Sequence, residues 1–399
     1  MKEPNKYRVA VIGCRSRGAS IAQAYHVHPA TQVVGLCDIV EQLRQSLGDK
    51  LGVRALFGDA EQMVESTRPD IVVIATGTEF HHPLAIRMLA LGVHLDIEKP
   101  ISTTLAEADE MLALAKDKGV EIAVHHQNRM GPGMQAISRA LQDGLAGRPR
   151  HIMASDKGYY GGLGLMNIGV HLLNYLFELG GHCRRVTAVA TTGGRACEAK
   201  DVRCAPMGMG FVVGEHITAT LDFGGNLTAT LLLHRFATID SFAVAIEAIG
   251  EKGRLFWGKD SRDRERNTPN KGWRLSSSYR LPPLDADTWE PLEEIVPPAF
   301  NLSLGVPVEE FCFVEEFVHA LRQGRSHRCS GEEGRHALEV MMGIFESIAS
   351  SRVVQLPQKE RDHPLLRWRR EMGLKPPVAA PRKYSDWLEA EDARLAPRC

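Results

Sequence analysis

RVAVIGCRSRG, residues 8–18, decides the fold. A short β-branched run ends at Gly13, a turn follows, and a helical stretch opens at about Gly18. The same alternation then repeats. VVGLCD (33–38) precedes a helix over about 40–51. DIVVIAT (70–76) precedes a helix with Pro83 in its first turn, where a missing backbone N–H costs nothing. VHLDIEK (93–99) precedes a helix from Thr103 to about Lys118, and EIAVHH (121–126) closes the series. Strands alternating with helices at this spacing predict a doubly wound parallel sheet. The strands read as continuous apolar runs because such a sheet is covered on both faces.

Ligands in this architecture bind beyond the carboxyl ends of the strands. Gly13, Asp38, Thr76, Lys99 and the pair His125–His126 stand there. GCRSRG places Gly13 and Gly18 at the first and third glycines of a GxGxxG dinucleotide fingerprint, with Arg15 at the second. That departure is tolerable where Arg15 or Arg17 meets phosphate, since a helix N-terminus already favours an anion. The turn residues Gly13, Arg15, Ser16, Arg17 and Gly18 are therefore predicted to hold a dinucleotide, with Asp38 on its ribose. Ile39 follows Asp38 without a basic neighbour in the sequence, which favours NAD over NADP. The plainer alternatives are a glycine turn that binds nothing and an aspartate that only caps a helix. Lys99 sits in EKP. Surface lysine is the commonest state of that residue. At this edge, with Pro100 fixing the backbone and allowing a cis bond, a lysine can instead hold a substrate hydroxyl.

Beyond about residue 150 the pattern changes. HIMASD (151–156), VTAVATT (186–192), EHITATLDF (215–223), NLTATLLLH (226–234), AVAIEAIG (243–250) and GRLFW (253–257) read as strands with few helices between them. Alternation across Gly224–Gly225 predicts a hairpin in an open, mostly antiparallel sheet with one face covered. MNIGVHLLN (166–174) is the helical exception. Asn167, His171 and Asn174 fall on one narrow face of an otherwise apolar helix, and Glu178 extends the line. Taken alone, that stripe suits a satisfied core histidine somewhat better than a site lining. Residues 259–300 read as an irregular excursion anchored by Trp273 and Trp289, and 307–350 as helices. The expected organisation is a dinucleotide domain over 1–130 and an α/β substrate and oligomerisation domain over 131–306. Helices over 307–355 return to the first domain, and a tail with little internal periodicity, expected to wrap over the body or a neighbouring subunit, covers 356–399.

The bulk numbers are those of an ordinary globular chain: 399 residues, 44% apolar, 24% charged, net charge -1. That charge gives no reason to expect nucleic acid or an anionic membrane as partner. No apolar run approaches a membrane span. The eight cysteines are singletons without a CxxC pair, which argues for a reducing cytoplasm and against a zinc site.

With GCRSRG…D, EKP and GGLGLMNIGVHLLN in order, the chain resembles the Gfo/Idh/MocA oxidoreductases from about residue 7 to 356. The resemblance implies a Rossmann domain, an α/β domain whose open sheet makes a homodimer or homotetramer, bound NAD(P), and a sugar, cyclitol or polyol substrate. It assigns catalysis to Lys99 and His171. It places Thr76, His81 (of TGTEFH, with Gly77 for the usual proline), Glu98 and Lys99 beside the cofactor. Asn128, Arg129, Tyr159, Tyr160, Asn167, His171, Asn174 and Lys99 then line the substrate. Asn167 and Asn174 replace the family's common aspartates, so His171 is expected to work as a near-neutral base. With the resemblance in view, the stripe reads as a site lining. Two alternatives stay open: an NAD-recycling enzyme that cleaves glycosides by oxidation, elimination and re-reduction, and a non-catalytic NAD-binding protein.

Overall fold

The computed structural model describes residues 6–258, 276–281 and 289–396, and the chain divides into two units. The first joins the N-terminal part up to Pro132 with Val296–Arg335. Its strands are β1 (Tyr7–Ile12), β2 (Thr31–Cys37), β3 (Leu56–Phe57), β4 (Ile71–Ile74), β5 (His94–Ile97) and β6 (Ile122–Val124). They lie in the order β3-β2-β1-β4-β5-β6, all parallel. The intervening helices are α1 (Ser16–Val27), α2 (Glu41–Leu51), α3 (Ala60–Thr67), α4 (His81–Ala90) and α5 (Leu105–Lys118).

The local causes are visible. Val9, Ala10, Val11 and Ile12 are all buried, as a strand covered on both faces requires. Thr104 and Glu107 cap the start of α5 reciprocally, and Gly119 ends it in a left-handed conformation. The two-residue β3 was too short to leave a periodic signal. The helix Val308–Gln323 returns to this unit, setting Phe313 and Phe317 into a core shared with Ile21 and Tyr25 of α1.

The second unit holds Gly133–Ile295 and the chain from His336 on. Its long sheet runs Glu290–Pro291, Ser276–Arg280, Arg254–Gly258, Ala245–Gly250, Pro149–Ser155, Leu227–His234, His216–Gly224, Arg185–Thr192, Val354–Gln355. Among the described strands of this sheet only Pro149–Ser155 and Leu227–His234 pair parallel. The expected hairpin turns through Gly224, Gly225 and Asn226, all with positive φ. The helical segment over 161–180 covers one face. On the other face Val189 is 68% and Met153 41% exposed. The excursion after 258 is more regular than expected where it is described, because Ser276–Arg280 adds a strand. Trp289 rests 6.0 Å from the Phe256 ring; Trp273 lies outside the described residues.

The tail, in which the sequence shows little periodicity, is partly helical. It contains helices Pro364–Glu371 and Tyr384–Leu395. Each buries only two residues, Pro364 and Leu365 in one and Trp387 and Glu391 in the other. So little apolar surface leaves no periodicity to read. No helix among the described residues is long and apolar enough to cross a membrane.

Candidate functional site

The carboxyl edge of the parallel sheet is built first by glycine. Gly13 has φ +92°, and a Cβ there would meet the Ala75 carbonyl oxygen at 2.4 Å. A Cβ on Gly18 would meet the Gly13 oxygen at 1.8 Å. The turn therefore closes only on glycines at these two places. Arg15, at the cap of α1, makes no side-chain cap bond and is exposed. Asp38 stands opposite. Its carboxylate accepts the Cys14 N–H at 2.7 Å and the Val40 N–H at 2.8 Å. Ile39 beside it is 91% exposed. A dinucleotide fits this cradle: an uncapped helix start for pyrophosphate and a preset carboxylate for ribose hydroxyls. The sequence offered no base near Asp38. The fold brings one, Arg44, whose guanidinium donates to the Asp38 carbonyl oxygen at 2.9 Å.

Arg17 turns inward. Its guanidinium pairs with Glu98 at 2.8 Å and with Glu310 at 2.7 Å. Glu310 also accepts from His125 Nε2 at 2.7 Å, while His125 Nδ1 meets Asp96 at 2.9 Å. The Tyr25 hydroxyl donates to the other Asp96 oxygen at 2.9 Å. Burial alone would lower the imidazole and raise the carboxyls. Asp96 and Glu310 outweigh it and raise His125 to about 10. His125 and Arg17 in turn hold Glu310 down to about 2. Glu98 is likewise held below the usual carboxylate range, against burial, by Arg17, Lys99 and His125. The cluster ends just beyond β5, where the Lys99 backbone N–H donates to Glu98 at 3.2 Å. Asp96 and Glu310 were not legible as site supports. Asp96 hides inside an apolar strand, and Glu310 lies about 210 residues further on.

The remaining candidates of this unit are braced by the backbone or by ion pairs. Lys99–Pro100 is cis. His81 lies 2.8 Å by Nδ1 from the Pro100 oxygen and 3.3 Å by Nε2 from the Thr76 oxygen, so it ties the EKP turn to the end of β4. Burial keeps its imidazole below the ordinary value. Arg129 pairs with Glu333 at 2.6 Å. Asn128 is half-buried in the same short helix.

In the second unit, Gly161–Gly164 opens the helical segment, residues Leu165–Gly169 form a π-turn, and Val170–Gly180 continues as α-helix. The π-turn, a geometry frequent at functional sites, was missed because it has no signature in apolar spacing. It divides the expected stripe: Asn167 is half-buried within the turn, while His171 and Asn174 are buried on the α-helix that follows. Glu178, further along, accepts from the Ser138 hydroxyl at 2.9 Å. Tyr160 is buried and Tyr159 half-buried at the entry.

Asp156, unremarked in the sequence, stands behind this entry. One carboxylate oxygen accepts the Gly158 N–H at 2.9 Å. The other has no hydrogen-bond partner among the described residues and faces Gly164, where a Cβ would approach it to 2.3 Å. Burial pushes the carboxyl up to about 7, against the N–H groups of Gly158 and Tyr159. A raised carboxyl is a liability above its unfolded value. From about pH 4 the unfolded chain sheds a proton that the folded chain keeps, so this group lowers stability as pH rises to about 7. Asp156→Asn keeps the turn's acceptor and removes the charge. Its melting temperature is expected to match wild type near pH 4 and exceed it at pH 8; parallel profiles would refute this origin.

Residues 7–126 match the model of the Gfo/Idh/MocA oxidoreductase family, described by its NAD-binding Rossmann fold. D-apiose dehydrogenase of Paraburkholderia graminis is 24% identical over 374 residues, covering 90% of this chain and 92% of that protein. Myo-inositol 2-dehydrogenase of Thermotoga maritima is 25% identical over 146 residues, 37% of this chain and 43% of that one. Among solved structures, levoglucosan dehydrogenase in complex with NADH and levoglucosan superposes with a TM-score of 0.70 at 20% identity. That match covers 89% of this chain and 100% of the other. The WlbA dehydrogenase of Bordetella pertussis, with NADH and UDP-GlcNAcA, gives 0.67 at 20% identity over 89% and 100%.

Proposed function

We propose that this chain, whose residues 7–126 match the NAD-binding Rossmann fold of the Gfo/Idh/MocA oxidoreductase family, moves hydride between NAD and a hydroxyl-bearing carbon of a sugar, cyclitol or related polyol. One observation carries the reading. The sheet edge that presents the Gly13–Gly18 turn and the Asp38 carboxylate also presents Glu98 and Lys99 just beyond β5, so the glycine turn and a lysine share an edge. NAD, when bound, supplies the hydride acceptor. Lys99 donates a hydrogen bond to the substrate oxygen and stabilises the negative charge that grows there. The His171 imidazole takes the hydroxyl proton. Asn167 and Asn174 orient that imidazole or hold substrate hydroxyls, as do Asn128, Arg129, Tyr159 and Tyr160. A sugar substrate is supported by relatives named for apiose and inositol. A cytoplasmic setting is supported by free thiols at all seven described cysteines. Assembly as a homodimer or homotetramer is supported by the apolar side chains exposed on the open sheet.

The deciding experiment incubates the protein with NAD⁺ and a panel of free sugars, cyclitols and glycosides, following nicotinamide absorbance and sugar release together. NADH accumulation with a free sugar or polyol is the expected result. Sugar release without net NADH would replace this reading by redox recycling, and an inert protein that binds NAD would leave only a binding role. Cofactor choice has its own test. Asp38→Ala removes a charged acceptor while leaving Arg44 in place. NAD affinity should fall roughly 10- to 100-fold, the worth of a hydrogen bond to a charged group, and NADP should gain relative to NAD. Unchanged titrations of both would remove Asp38 from the cofactor site.

A further inference from the structure

The helical segment bearing His171 starts weakly. Glycines stand at 161, 162, 164 and 169, and a π-turn follows at once. Each glycine in a helix costs about 1 kcal/mol relative to alanine, so something outside the segment has to fix its entry. The backbone before His216–Gly224 does part of this: Gly161 N donates to the Glu215 oxygen at 2.8 Å and Gly162 N to the Gly214 oxygen at 2.9 Å.

Two further ties come from the C-terminal helix Tyr384–Leu395. The Tyr384 hydroxyl accepts the Tyr160 N–H at 3.0 Å, and its ring packs edge-on to Tyr159 at 5.2 Å. Asp392 takes both nitrogens of the Arg235 fork, at 2.6 and 2.9 Å, and Arg235 also holds the Glu215 carboxylate at 3.1 Å. One tail helix thus grips the entry directly at Tyr160 and through Arg235 at the residue that caps Gly161. The helix is itself locked down. The Tyr160 hydroxyl donates to the buried Glu391 at 3.1 Å, and the Trp387 indole donates to the Cys204 oxygen at 2.8 Å. Matched structures that cover 98–100% of their own length cover only 88–89% of this chain. About a tenth of the chain is therefore additional to the fold they share.

We propose that the C-terminal helix positions the substrate half of the site, with Tyr384 and Asp392 as positioning residues that hold the entry of the His171 segment. The inference rests on the proposed dehydrogenase function but is testable apart from it. Tyr384→Phe, Asp392→Leu and the double variant keep ring and approximate volume while removing the ties. Amide exchange over 158–164, read without substrate, should accelerate in each and most in the double. With a substrate in hand, each single variant should lose about two- to tenfold in kcat, the worth of one hydrogen bond, while NAD affinity stays that of wild type. Protected amides and unchanged kcat in the double variant would overturn the proposal. A fall in NAD affinity matching the fall in kcat would also overturn it, since that marks a general loss of fold. If the wild type is inert on every sugar, the dehydrogenase reading fails while exchange still decides whether the tail holds the entry.

Discussion

Lys99→Ala and His171→Ala are each expected to lower turnover by at least about a hundredfold, the low end of what a positioned acid–base group contributes. Melting temperature and NAD affinity should stay near wild type in the histidine variant. The two residues reach their places by different means. Lys99 sits on a stiff turn: Pro100 follows it, His81 braces the Pro100 carbonyl, and the Glu98 carboxylate accepts its own N–H. Lys99→Arg should not rescue, because a planar fork does not reproduce a point ammonium. His171 depends on a glycine-rich helix start instead, so its variant separates chemistry from cofactor binding more cleanly. Single-turnover absorbance at saturating NAD⁺ reads the step directly. Near-normal rates in both variants would remove the acid–base assignment, whatever the substrate proves to be.

The parallel sheet was legible because its information is local. Apart from the two-residue β3, the strands of the first unit are short apolar runs, and their alternation with helices leaves one architecture. The positions of Gly13, Asp38 and Lys99 just beyond the carboxyl ends of strands were legible for the same reason. Long-range pairings escaped. Nothing in EIAVHH says that His125 will lie between Asp96 and Glu310. Nothing in GCRSRG says that Arg17 turns toward the EKP glutamate while Arg15 stays exposed. Charged partners far apart in the chain have no spacing to detect. Asp156 and the tail helix escaped for a related reason. What marks them is burial and an unmatched oxygen in one case, and a few anchoring side chains in the other.

Replacing Glu310 tests whether that hidden cluster holds the site's foundation. The residue meets two cations at once, Arg17 from the glycine turn and His125 from the end of β6. Glu310→Ala leaves a buried imidazole with one carboxylate instead of two and frees half of Arg17. Removing one partner of a buried ion pair typically costs about 3–5 kcal/mol, because the other charge stays without its counter-ion. The pH dependence identifies the cause. His125 is raised to about 10, so its contribution is complete below about 6.5 and is lost as pH climbs through about 10. Glu310 is lowered to about 2, so its share is complete above about 4.5 and is lost as pH falls through about 2. The stability gap between wild type and variant should therefore be widest between about pH 4.5 and 6.5 and narrow toward pH 10. Urea unfolding across that range measures it. A gap below about 1 kcal/mol at pH 6 is what surface ion pairs give. It would mean that the cluster is solvated and that the EKP turn is held by His81 and its backbone alone.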